Sequence, residues 1–217
     1  MNPSPATILR EYGPFPGSDR VGGVTFDGQL VWIASGTAMV AFDPASGAVV
    51  RSLAVPGSAG TAFDGQRLYQ IVEAEILTVD PATGAVLARI PAPGGGGDSG
   101  MAWAEGTLWV GQYQKRKIYQ IDPATGAILR TIDSNRFVTG VTWVEGELWH
   151  ATSEGGLSEV RRIDAGSGEV LEQLDMPAGV LISGLESDGG GRFFCGGGKT
   201  GKVRAIRRPR RTPATGA

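Results

Sequence analysis

Apolar and polar residues alternate along this chain in short bursts of four to six positions, and the bursts recur in a fixed order. GVTFDGQLVWIA at 23–34 returns as GTAFDGQRLYQI at 60–71, GMAWAEGTLWVG at 100–111, GVTWVEGELWHA at 140–151 and GLESDGGGRFFCG at 184–196. A second half follows each of the first four: VAFDPASGAVVRSL at 40–53, LTVDPATGAVLARI at 77–90, YQIDPATGAILRTI at 119–132 and RRIDAGSGEVLEQL at 161–174. Period-two alternation bounded by Gly, Asp and Pro predicts strands, so each module supplies four short strands. DG or EG makes the first turn, where Gly tolerates positive φ, and DPxTG the third, where Asp accepts local backbone hydrogen bonds and Pro fixes the next φ.

The leading glycines, Gly23, Gly60, Gly100, Gly140 and Gly184, lie 37, 40, 40 and 44 residues apart. That module length predicts an all-β fold, a five-bladed β-propeller with mostly four-stranded blades. The rival is an open solenoid, which needs capped ends. The fifth module lacks a fourth strand, and ATILREYGPFPG at 6–17 aligns with AVVRSLAVPG at 48–57 and AVLARIPAPG at 85–94. The N-terminal strand is therefore expected to complete the last blade beside Val203–Ile206, closing the ring and covering a strand edge. Residues 1–208 form one propeller in this reading, and 209–217 a flexible basic and polar tail.

Trp32, Tyr69, Trp109, Trp149 and Phe194 occupy one second-strand position and are expected to pack between blades. Asp43, Asp80, Asp122 and Asp164 repeat in the third turn and Asp27, Asp64 and Asp188 in the first, which makes them turn residues rather than catalysts. The 35 glycines carry no collagen period. Cys195 is the single cysteine, so no intramolecular disulfide forms. No run of 18 apolar residues is present and the stretch MNPSPATILREYG lacks an apolar segment long enough for a signal peptide, and the expectation is a cytoplasmic, monomeric protein with no membrane span. Seven basic residues fall within 199–211, leaving 13 basic against 22 acidic elsewhere. With an acidic body and no basic, aromatic track, nucleic acid is not expected as a partner.

The first and third turns are nearly uniform, so individuality belongs to the loops of the opposite, variable face, where binding groups usually reside. Glu73, Glu75, Tyr113, Lys115, Arg116 and Glu154 lie in those loops and are the candidate ligand contacts around the central opening, with Trp149 as a further candidate. His150 is the only histidine, standing where the other modules have Ile33, Gln70, Val110 and Cys195. A lone histidine excludes a multi-histidine metal site but suits proton transfer. A Cys195–His150 nucleophilic pair would require direct contact. GGGKTG at 196–201 lacks the spacing of a phosphate-binding loop. No metal or cofactor is expected.

The stretch FVTGVTWVEGELWHATSEGGLSEVRRIDAGSGEVL at 137–171 resembles the glutamine cyclotransferase family of five-bladed propellers, as does GTAFDGQRLYQIVEAEILTVDPATGAVL at 60–87. Where that family has an FTQGL-like segment this chain reads FVTGV, with Val138 and Thr139 replacing Thr and Gln. Where it has LYEST, with a catalytic Glu, this chain reads LWHAT and places His150 at the Glu. The resemblance implies cyclisation of N-terminal glutamine with release of ammonia, with His150 or Glu154 moving the proton and Trp149 shaping the pocket. The residues themselves point to a diverged, noncatalytic propeller that binds a small polar ligand, a peptide or a protein.

Overall fold

The computed structural model describes residues 3–18 and 20–209. The chain opens with β1 (Ser4–Pro5) and β2 (Ile8–Tyr12). Blade 1 follows as β3 (Gly23–Phe26), β4 (Val31–Ala34), β5 (Met39–Phe42) and β6 (Val49–Leu53); blade 2 as β7 (Thr61–Phe63), β8 (Leu68–Val72), β9 (Glu75–Val79) and β10 (Val86–Pro91). Blade 3 comprises β11 (Asp98–Ala104), β12 (Thr107–Gln112), β13 (Lys117–Ile121) and β14 (Ile128–Asp133); blade 4 comprises β15 (Val138–Val144), β16 (Glu147–Glu154), β17 (Leu157–Ile163) and β18 (Val170–Asp175). Blade 5 takes β19 (Gly184–Ser187), β20 (Arg192–Gly196) and β21 (Val203–Arg207), and β2 pairs antiparallel with β21 as its outer strand. The five-bladed ring closed by the N-terminal strand is thus the observed fold, and the open solenoid is not. One feature adds to that expectation: β1 lies parallel to β18, with Ser4 beside Leu174, so the same N-terminal segment also gives blade 4 a fifth strand. No helix among the described residues is long and apolar enough to cross a membrane.

The leading glycines form a collar at the axis. A Cβ on Gly60 would come 2.6 Å from backbone atoms of Gly100 and Met101, one on Gly140 2.6 Å from Leu185 N, and one on Gly184 2.9 Å from Val24 N. Gly100 is pressed in the same way on Gly140, and Gly23 on Ala59 and Gly60. These glycines are required by closeness of backbone to backbone, not by positive φ. The glycines of the third turn answer the other need: Gly47, Gly84, Gly126 and Gly168 have φ of 84°, 77°, 75° and 76°.

The repeated acids do turn work. Asp43, Asp80, Asp122 and Asp164 each accept backbone amides two and three residues ahead. These hydrogen bonds, joined by side-chain hydroxyls, hold the four turn carboxyls below their ordinary pKa. The first turns come in two kinds. Asp27 and Asp64 cap four-residue loops, whereas Glu105–Gly106 and Glu145–Gly146 are two-residue turns with both residues at positive φ. The difference reaches the interblade aromatics. Trp32 Nε1 donates to Asp27 at 2.7 Å and the Tyr69 hydroxyl to Asp64 at 3.0 Å, while Trp109 Nε1 has no partner because Ala104 stands at that position. The aromatics do pack across blade boundaries: Tyr69 stacks on Trp103 and Trp109 on Trp143, both with ring centres 5.5 Å apart, while Trp149 tilts against Phe193 and Phe194 against Phe26.

Arginines on the outer strands clasp the next blade. Arg10 donates to the carbonyls of Pro44, Ala45 and Ser46, Arg51 to Pro81 and Arg130 to Ala165. Part of the C-terminal basic run is likewise structural. Arg208 is 5% exposed and bonds Glu145 at 2.6 Å and Glu147 at 3.2 Å, fastening the end of blade 5 to the first turn of blade 4. Residues 210–217, most of the expected tail, lie outside the described residues. Arg208→Ala removes a buried cation from two carboxylates and is expected to lower stability by about 2 kcal/mol. Urea unfolding of both proteins measures it, and an unchanged midpoint would mean that the contact carries no net stability.

Candidate functional site

β12 and β13 meet on the variable face through residues 113–116, and β14 runs to β15 through residues 134–137. Ser134 N donates to Arg116 O at 2.7 Å, which ties the two loops together. This geometry makes a ladder of side chains across blades 3 and 4. Tyr113 stacks on Phe137 with ring centres 4.6 Å apart, and the Arg116 guanidinium lies 4.4 Å from the Phe137 centroid. Arg116 Nη2 is 2.7 Å from Glu154 Oε1, and Arg136 Nη1 is 3.3 Å from Glu154 Oε2. Arg136 also reaches Glu159 at 4.0 Å; Glu159 pairs with Arg161, and Arg161 donates to Asn135 Oδ1 at 2.7 Å. The ladder is solvent-facing at its upper end, where Tyr113 is 38% exposed and the Arg116 and Arg136 side chains 40% and 43%.

Of the residues singled out from sequence, Tyr113, Arg116 and Glu154 come together here. Lys115 lies alongside, its Nζ bonded to Gly94 O at 3.1 Å. Glu73 is the positive-φ residue of the blade 2 hairpin, and Glu75 beside it pairs with exposed Arg89 at 2.9 Å. Trp149 is buried between blades 4 and 5, its Nε1 bonded to Glu147 at 3.1 Å. It faces away from the ladder because successive side chains of a strand point to opposite sides. Phe137 and Arg136, the ladder's central ring and second clamp, were not singled out; only their place in a variable loop marked them.

His150 stands below the ladder on the same side of β16 as Glu154, opposite Val141 and Arg161 in the neighbouring strands. It is 1% exposed and its Nδ1 has no hydrogen-bond partner. Burial, helped by the Arg161 charge, pushes its pKa down to about 3, so the imidazole is neutral. Cys195 packs in the blade 4–blade 5 core with Trp149, on the other side of blade 4, and burial pushes its thiol up to about 12. The Cys–His pair therefore does not form.

The axis holds a carboxylate that the loops did not advertise. Glu186 on inner strand β19 accepts from Thr25 at 3.0 Å and Thr142 at 2.6 Å, one on each flanking blade, and from Ser187 N at 2.8 Å. Burial pushes its pKa up to about 7. The signal was legible: the equivalent residues are Thr25, Ala62, Ala102 and Thr142, so Glu186 is the single charged residue of its ring. Among the described residues no group of three or more His, Cys, Asp or Glu could hold a metal ion.

Among solved structures, glutaminyl cyclase from Myxococcus xanthus matches with a TM-score of 0.75 at 18% identity, covering 95% of this chain and 98% of that one. The WD40 β-propeller domain of Doa1 matches with a TM-score of 0.57 at 16% identity, over 88% of this chain and 64% of that one. The Myceliophteria thermophila Cps50 (Swd1) propeller domain gives 0.55 at 14%, over 98% and 71%. At such identities the likeness is one of fold. No curated protein matches the chain. A family model described as outer membrane protein assembly factor BamB matches residues 72–209, from the end of β8 in blade 2 to the end of blade 5. That is more than half of the sequence, and the chain belongs to this family.

Proposed function

We propose that this propeller is a noncatalytic binding module that takes a small polar ligand, a peptide or a protein segment at the blade 3–blade 4 rim of its variable face. The observation that carries the reading is the Tyr113–Phe137–Arg116–Glu154–Arg136 ladder. A guanidinium has five N–H donors, and the ladder engages only part of them. Exposed aromatic and arginine side chains on a rigid scaffold are the groups that dominate contact energies at interfaces. Glu154 has both oxygens engaged by arginines, which fixes its charge between Arg116 and Arg136. A cytoplasmic, monomeric state is proposed with it, to be checked by cell fractionation and light scattering.

The test is fluorescence anisotropy with a panel of labelled peptides. Phe137→Ala and Arg116→Ala are each expected to weaken whichever peptide binds by ~10-fold or more, and Glu75→Ala on blade 2 to leave it unchanged. Equal affinities in all four proteins would overturn the assignment of the rim. The cyclase reading is kept as a second one because the likeness to the Myxococcus enzyme spans nearly the whole of both chains. In it the α-amine of an N-terminal glutamine attacks the side-chain carbonyl, ammonia leaves, and His150 or Glu154 transfers the proton. Ammonia release and pyroglutamyl product, both lost in His150→Ala, would establish it; no turnover by folded protein favours the binding module.

A further inference from the structure

A second feature lies on the flank between blades 3 and 4, where a cleft of about 400 Å³ opens between the end of β14 and the third turn of blade 4. Its volume is within the range of small-molecule sites. His150 lines it, buried and with an unpartnered Nδ1. A buried polar atom of this kind calls for an occupant that hydrogen-bonds it. Asn135 lines the cleft as well, and because Arg161 occupies its Oδ1, its remaining polar atom is the donor Nδ2. A hydroxyl satisfies both groups at once, since it donates and accepts and so suits either tautomer of a neutral imidazole.

The rest of the lining has the opposite character. Asp133 and Glu169, both exposed, bring two carboxylates, and among the described residues no lysine or arginine lines the cleft. Lys117 offsets Asp133 at 2.8 Å, while Glu169 has its backbone N, not its carboxylate, engaged by Ser167 Oγ. Ile163 and Val170 add apolar lining. We infer that this cleft binds a small amino alcohol, its ammonium against Glu169 and its hydroxyl reaching from the exposed Asn135 amide toward buried His150. The cleft adjoins the rim and shares its 134–137 loop, but the Tyr113–Phe137–Arg116 contacts do not line it, so its failure leaves the rim reading standing.

The single histidine makes the test direct, because every imidazole signal in the NMR spectrum of the full chain belongs to His150. 3-Amino-1-propanol is the probe, with propionate and 1,3-propanediol as anionic and neutral counterparts. The expected result is a saturable shift of the His150 ring signals by the amino alcohol at about 10 mM, where a millimolar site is filled. Glu169→Gln, at an exposed turn whose backbone cap is retained, is expected to weaken the probe about fivefold and to leave the His150 signals of the free protein in place. No shift, an equal response to propionate or propanediol, or an unchanged affinity in Glu169→Gln would overturn the inference.

Discussion

A chain lacking residues 1–12 is expected to lose cooperative unfolding and to self-associate, because its ring cannot close. The deletion removes the outer strand of blade 5, the fifth strand of blade 4 and the three Arg10 bonds to blade 1 together. It removes Tyr12, which is 3% exposed, sits 4.9 Å from the Phe42 ring and donates to Pro44 O. It also takes Glu11 away from Arg204, a buried cation held at 2.6 Å. Loss of the buried aromatic alone is worth about 3 kcal/mol, and stranding the arginine a similar amount. Those two already approach the ~5–15 kcal/mol that stabilises an ordinary domain. Calorimetry and light scattering report the outcome; an unchanged melting temperature and a monomeric deletion would refute closure by this segment.

The second large effect is on pH dependence, where Glu186 and His150 act in opposite directions. Glu186 has its pKa raised from 4.5 to about 7, so between these values the folded chain holds the extra proton and stability falls as pH rises. The difference corresponds to about 3 kcal/mol at full extent. His150 has its pKa lowered from 6.5 to about 3, so in that window the unfolded chain holds the extra proton and stability falls as pH drops. By pH 5 this amounts to about 2 kcal/mol. Where the windows overlap the two slopes offset each other. Glu186→Gln is expected to gain stability above pH 7 and to steepen the acid-side loss, while His150→Val, with the residue blade 3 uses at that position, removes that loss. Urea titrations from pH 4 to pH 8 on the three proteins decide it: variant curves parallel to the parent would mean that neither group titrates differently on folding.

What could be read from the sequence was whatever repeats. Blade boundaries, Asp-capped turns, interblade aromatics and the strand donated by the N-terminus all recur at a common spacing, and each copy corroborates the others. Features that occur once were hidden. Two residues, Ser4 and Pro5, are too short to show a strand pattern. Arg208 ends the expected propeller within a basic run, and nothing local in that run shows that its guanidinium is held by Glu145 and Glu147. The clasps of Arg10, Arg51 and Arg130 depend on blades meeting at an angle that no local window contains. For the site, loop variability located the rim but could not say that Phe137 joins Tyr113 to Arg116. His150 and Trp149 were grouped together, although neighbours on a strand face opposite ways and the alternation already separates them.

The glycine collar also bears on how many blades the molecule has. Neighbouring inner strands touch through their backbones at Gly23, Gly60, Gly100, Gly140 and Gly184, so the circumference at the axis is set by the width of bare peptide. A side chain at any of these positions would push two blades apart, and the whole ring would have to widen to take up the displacement. Each inserted methyl would make the angle between blades suit a larger number of them. Five small residues therefore act as a gauge for blade number: the same strands, rebuilt with alanine or serine along the collar, would be dimensioned for a wider wheel than this chain has blades to fill.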